Sequence, residues 1–328
     1  ESAEDEASAF KVQAEYPLYR SDTSVAEVCD RTSSATEPAF DGIQVWNALG
    51  GNGWSRIGQR VVWQFEVKKS GNYSFAVRYR QNYLSGRASH RTLLIDGKVP
   101  DQTLADLRFD YDKDWQILNL REGDGTPVTV YLEEGIHTIS LDVTLGEDSE
   151  IVNLAQQALY ELNAIYRKLI MQTGANPDKY RDYQIEKVYP DIIKAMGDES
   201  KILYHLVDEV TAYTGERGGE IAVAQTLAAQ MEEFVDRPDK IPQTLSNFKE
   251  NVSSLGTSIN NLSATAMDID YIVLAGDKSS IEEVNEGSFD RIVHECTLFI
   301  NSFRSDSSAL GNVYDSDDPD VIDVWITA

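Results

Sequence analysis

Between Val12 and Leu145 the chain reads as short runs that alternate apolar and polar positions or are rich in β-branched and aromatic residues: RVVWQFEV (60–67), NYSFAVRYR (72–80), HRTLLID (90–96), WQILNL (115–120), VTVYL (128–132) and HTISLDVTL (137–145). Side chains on a strand point alternately to its two faces, so each run predicts a strand with one buried face. Turn signals divide them at Lys69-Ser70-Gly71, Asp96-Gly97, Gly123-Asp124-Gly125 and Glu133-Glu134-Gly135. At Asp148 the period changes. Ile151, Leu154, Ala158, Leu162, Ile165 and Leu169 recur every three to four residues, with Asp148 or Ser149 placed to cap a helix and Gly174 to stop it. Further helices are expected near 189–196, 199–214, 219–235 and 241–260, divided by GERGG (215–219), Pro238 and Pro242.

After these helices comes MDIDYIVLAG (267–276), a strand pattern with no neighbour of its own kind. A lone strand leaves its backbone groups unpaired, so it must join a sheet. The economical expectation is that it closes the sheet begun before residue 145. The predicted fold is an antiparallel β-sandwich, a jelly roll, with an α-helical bundle inserted between its last two strands. Such an insertion at a surface loop carries little loop-closure entropy. Ile269, Tyr271 and Val273 are expected on one face and Asp270, Ile272 and Leu274 on the other. The domains read as an acidic tether (1–11), a sandwich (12–147 with 267–276), an inserted bundle (148–266), and a helix with an acidic linker (277–328). The chain stops within the strand-like VIDVWITA (321–328), so a further domain is expected beyond it.

Composition narrows the function classes. With 328 residues and a formal net charge of −26, the chain repels phosphate backbones, which argues against nucleic acid and against docking on anionic lipid. No apolar run reaches the length of a membrane span. The acidic, small-residue opening ESAEDEASAF is the kind of tether that follows a removed signal or lipid-attachment segment, so export is expected. The two cysteines, Cys29 and Cys296, form no CxxC motif; two separate thiols are the preferred reading and a disulfide between them the alternative.

Searches for catalytic motifs return none of the GxSxG, HExxH or Walker patterns, and no residue set that could run a reaction. The cluster LGGNGWSRIG (49–58) leads into a strand, unlike a dinucleotide loop. DYDKDW (110–115) begins like a calcium loop, but Trp115 and Arg121 stand where that loop needs Gly and Glu. A solvated turn is the simpler reading there. What remains is a constellation of loop residues. If successive strands run away from and back to one end of the sandwich, loops 47–58 and 81–89 meet there. They carry Asn47, Asn52, Trp54, Arg56, Asn82, Tyr83, Arg87 and His90. Aromatic faces with amide and guanidinium donors match the C–H faces and hydroxyl edges of sugars. The competing reading has Trp54 and Tyr83 covering the sandwich end or packing on the helical block. Trp46, Trp63, Tyr73, Tyr79 and Trp115 are expected in the core.

The order WNALGGNGWSRIGQRVVWQFEVKKSGNYSFAVRYRQN, RTLLIDGKVP, Trp115, YLEEGIHTISLDV and the closing IDYIVL is similar to the galactose-binding-like jelly rolls of carbohydrate-binding module families 6 and 35. The wider arrangement, with NAIYRKLIMQTGANPDKYRDY (163–183) opening the helices and DVWITA at the end, resembles the N-terminal part of extracellular solute-binding lipoproteins of bacterial ABC transporters. The resemblance implies a non-catalytic, cell-surface glycan-binding module of a Gram-positive bacterium. It would capture an oligosaccharide or polysaccharide and reach a transporter permease through a downstream domain, touching the membrane only by a lipid anchor. No cofactor is expected, although a structural calcium, common in the family, stays possible. The alternatives are a structural spacer or docking domain, or an accessory module of a glycoside hydrolase or lyase. One departure bears on the site: the helical insert replaces the loop that lines the ligand cleft in the related modules.

Overall fold

A computed structural model describes residues 10–33, 36–38, 45–214 and 219–276. The expectations for 277–328 and for Cys296 lie outside the described residues; Cys29 is half-buried and a free thiol. Twelve strands and five helices are described: β1 (Phe10–Gln13), β2 (Tyr19–Arg20), β3 (Ala26–Val28), β4 (Ala48–Gly51), β5 (Arg60–Val67), β6 (Gly71–Arg80), β7 (Ser89–Ile95), β8 (Leu107–Phe109), β9 (Gln116–Asn119), β10 (Thr129–Leu132) and β11 (Gly135–Thr144) precede the helices α1 (Ser149–Thr173), α2 (Ile185–Val188), α3 (Pro190–Thr214), α4 (Gly219–Asp236) and α5 (Ile241–Leu262), and β12 (Met267–Gly276) follows them.

The strands form two antiparallel sheets. One runs β2-β5-β11-β7-β8; the other runs β10-β6-β12-β4-β3, with β9 also on β6 and β1 also on β12. The apolar phase of each strand faces the opposite sheet, and Trp63, Phe75, Leu93, Phe109, Leu141 and Ile272 sit together in the core between them. β12 therefore closes the sandwich as expected. It pairs with β6 on one side and with β4 and then β1 on the other, residues more than a hundred positions earlier. Its alternation differs from the simple pattern. The register shifts between Ile269 and Tyr271, so Ile269, Ile272 and Leu274 enter the core while Tyr271, Val273 and Ala275 pack with Ala76 on the outer face. A bulge places two successive side chains on one side, and here it inverts the phase at Asp270.

The helices pack around a separate apolar core that includes Leu162, Leu203, Leu227, Phe234 and Phe248. The two helices expected at 189–196 and 199–214 are one, α3. Gly197 does not break it, because it lies where a Cβ would meet the Val235 side chain at 3.7 Å, an ordinary helix-to-helix contact. Asp148 precedes α1 but makes no side-chain cap; its carboxylate turns to the sandwich instead.

Candidate functional site

The loop between β4 and β5 (52–59) and the loop between β6 and β7 (81–88) lie at the end of the sandwich where the chain leaves for α1 and returns from α5. The β12 register places both there, since Asp268 stands beside Gly50 on one flank and Arg80 on the other. Each loop is folded around a buried amide. Gln59 accepts from the Ser55 and Arg56 amides at 2.9 and 2.8 Å and donates to the Gly53 carbonyl at 2.8 Å. Gln81 accepts from the Tyr83 and Leu84 amides and donates to the Arg87 carbonyl at 2.7 Å. These bonds replace the ladder that loop backbone lacks. Gly53 belongs to the same closure, because a Cβ there would fall 2.0 Å from the Ser24 carbonyl oxygen.

The eight candidate residues divide. Trp54 is fully buried, edge-on to Trp63 at 6.4 Å and beneath the Arg91 guanidinium at 4.4 Å. Arg91 has no acidic partner among its hydrogen bonds; it donates to the carbonyls of Trp54 and Thr265 and to the Thr265 hydroxyl. Complete burial pulls its guanidinium down to about 9. Arg87 is buried at the domain junction, donating to the Asn261 and Leu262 carbonyls at the end of α5 and to Asp148 at the start of α1. One guanidinium thus holds both crossings of the inserted segment. His90, 1% exposed, meets Asp106 through Nδ1 at 2.8 Å. Asn47 is also fully buried, accepting from the Asp30 amide and donating to the Asp30 and Pro38 carbonyls. Asn52, Arg56 and Asn82 remain exposed at this end, and Tyr83 is half-buried.

Tyr83 leads into a network that sequence reasoning missed. Its hydroxyl donates to Asp268 at 3.0 Å. Burial, followed by the Asp268 charge, pushes that hydroxyl well above the usual tyrosine range, so it stays a donor. Arg80 spans Asp268 at 3.0 Å and Asp30 at 2.8 Å, and Trp115 donates to Asp30 at 3.0 Å. Arg78 pairs with Asp270, and both guanidinium groups lie over the Trp115 ring, at 5.1 and 4.8 Å. Burial raises Asp268 despite Arg80, and raises Asp270 to about 7 despite Arg78. For Asp30, burial works upward, but bonds from Thr32, Trp115 and Arg80 outweigh it and hold the carboxyl low. The signal was present: Arg78 and Arg80 share one phase of β6, and Asp268 and Asp270 interrupt an otherwise apolar β12. Trp46, expected in the core, is 52% exposed.

Among the described residues no cluster of three or more His, Cys, Asp or Glu is arranged to hold a metal. Asp112 and Asp114 make local turn bonds instead, with Asp112 accepting from the Asp114 amide at 2.9 Å. A different place has unpaired oxygens. Glu15 is buried with both carboxylate oxygens unpartnered, and the Gln13 side-chain oxygen is also buried and unpartnered. Burial, with Glu37 nearby, pushes Glu15 up to about 7. Oxygen acceptors without donors have the chemistry of a hard-cation site.

Residues 150–266 match the model of the family described as "Bacterial solute-binding protein, 4-helix bundle domain". Solved structures share likeness with part of the chain. A Paenibacillus cycloisomaltooligosaccharide glucanotransferase complexed with cycloisomaltoheptaose shares 21% identity at a TM-score of 0.30, over 42% of this chain and 16% of that enzyme. A family 35 carbohydrate-binding module from Clostridium thermocellum shares 14% at 0.30, over 42% of this chain and 88% of the module. The C-terminal family 6 module of a Zobellia galactanivorans laminarinase shares 16% at 0.29, over 41% and 88%. The chain spans well under two thirds of the first enzyme's length. No curated protein matches the chain.

Proposed function

We propose that this chain is a non-catalytic, extracellular glycan-binding part of a solute-binding lipoprotein that serves oligosaccharide uptake by an ABC transporter. The observation that carries the reading is the match of residues 150–266 to a solute-binding domain, inserted between the last two strands of a sandwich. The order of sandwich motifs supports the glycan. Asn52, Arg56 and Asn82, exposed around the half-buried Tyr83, offer the donors and acceptors that hydroxyl groups need. The loop cores below them, closed by Gln59 and Gln81, keep that end in one conformation, which lowers the ordering cost of binding.

The test is a glycan array and affinity gels with the full chain and with the Arg56→Ala/Asn82→Ala variant. Retention on a defined glycan, weakened in the variant with an unchanged melt, is the expected result. Absence of retention on every glycan would favour a second reading, a docking domain, for which the burial of Arg87 and Asp148 at the junction speaks. Calcium belongs to the proposal as a structural ion, with Gln13 and Glu15 among its oxygen donors. Because calcium requires ionised Glu15, addition should raise the melting temperature more at pH 6 to 8 than at pH 4.5. Identical melts in calcium and in chelator would remove it.

A further inference from the structure

At the side of the sandwich, where the outermost strand of each sheet leaves an edge, a groove of about 200 Å³ opens between β8 with its preceding helical turn and the β9–β10 edge. β9 and β10 run in the same direction along β6, and between them residues 121–127 make a small excursion closed by the Arg121–Pro127 bridge. That excursion forms one rim. Leu104, Leu107, Leu118 and Leu120 supply an apolar floor, while Asp106, Arg108, Asn119 and Arg121 supply polar groups.

Two of those polar groups are set up in advance. Asp106 is held from below by His90, itself 1% exposed, through a 2.8 Å contact to one carboxylate oxygen. Gly146, at φ +52°, packs against this pair so closely that a Cβ would lie 2.1 Å from His90 Nδ1 and 2.6 Å from Asp106. The Asn119 side-chain oxygen is buried without a hydrogen-bond partner. An acceptor without a partner is disfavoured, and a hydroxyl donor brought to it would satisfy it. The volume is below the roughly 300–1,000 Å³ of pockets for drug-sized ligands, which suits one ring and not a folded segment.

We propose that this groove holds a single pyranose ring of a glycan chain, with the ring's C–H face on the leucine floor and its hydroxyls on Asp106, Asn119 and Arg121. The inference rests on the glycan-binding reading and relocates or extends its site to the sandwich edge. His90 acts as a positioning residue for Asp106.

Amide chemical-shift mapping of the isotopically labelled full chain, titrated with methyl glucosides, mannosides and galactosides and the corresponding disaccharides, tests it. Shifts confined to 103–108 and 118–121 are expected. Asn119→Ala and Arg121→Ala should each weaken that binding about tenfold, the size of one lost hydrogen bond. Arg121 is exposed, so its variant should melt like the parent and keeps the test valid if Asn119→Ala unfolds. Shifts at 52–56 and 82–84 with the groove unmoved would overturn this inference and leave the glycan reading standing. Unchanged affinity in Arg121→Ala and Asn119→Ala would overturn it too. No shift with any sugar would overturn both.

Discussion

The sandwich and the inserted bundle bury very different chemistry. Inside the sandwich and at its junction lie Asp30, Arg78, Arg80, Arg87, Arg91, Asp268 and Asp270, nearly all of them ion-paired or hydrogen-bonded. Among the described residues within the helical core, beyond Asp148 at its junction, the buried charged residue is Glu199, accompanied by Thr173, Ser200 and Ser258. Buried ion pairs add little net stability over apolar packing, yet losing one partner is costly. Their distribution therefore marks where conformation must be specified: the strand ends, loops and crossing points of the sandwich. The bundle needs only to pack.

The comparison breaks most sharply at Arg80. Arg80→Ala leaves Asp30 and Asp268 buried without their shared cation, and about 3–5 kcal/mol of sandwich stability should disappear, read by denaturant unfolding followed through tryptophan fluorescence. Combining it with Asp268→Asn should cost less than the sum of the two single changes, because the residues share one network. A loss below about 1 kcal/mol, or simple additivity, would mean the network is incidental.

Glu199 tests the other side. Burial, reinforced by the nearby Glu161, pushes its carboxyl up to about 7 from an ordinary 4.5. The folded chain then holds a proton there that the unfolded chain has released, so stability falls as pH rises from 4.5 to 7 and the whole penalty, about 3 kcal/mol, is present above 7. Glu199→Gln should therefore match the parent at pH 4 and exceed it by about 2–3 kcal/mol at pH 8. Glu15 titrates in the same window, but it lies in the sandwich and is common to both proteins, so the difference between them isolates the bundle. Equal stability at pH 8 would show that Glu199 reaches solvent or a partner.

Much of this architecture was legible from periodicity alone. β5, β6 and β11 each carry a period of two over seven residues or more, β7 and β12 end in apolar runs rich in Leu, Ile or Val, and α1 and α5 hold a sustained helical stripe, so both the fold class and the insertion follow from local pattern. The short strands β2, β3 and β8 were not legible, because two or three residues hold no period. The bulge at Asp270 was hidden for a different reason: it is set by where Arg78 and Arg80 stand on β6, a long-range condition absent from the local text. That the two loops share one end of the sandwich was legible, but which side chains they expose there was not, residue by residue. Asn47, Trp54, Arg87 and His90 have the chemistry of sugar contacts and also of loop and junction anchors, and burial decides between these.

The two tryptophans of VWNALGGNGW show that limit in one stretch, and the first of them, Trp46, provides the smallest effect expected. Sequence pattern put Trp54 forward as a contact and Trp46 in the core, and the structure reverses their exposures. Trp54→Ala removes the surface beneath Arg91 and against Trp63, and should cost about 3–5 kcal/mol. Trp46→Ala removes a ring that is half in water, and stability should change by no more than about 0.5 kcal/mol. An exposed ring of that size is instead suited to stack on a sugar face. Trp46→Ala that melts normally and binds glycan as well as the parent would confine recognition to the polar loop residues and the edge groove; a normal melt with weakened binding would add Trp46 to the surface that Asn52 and Asn82 begin.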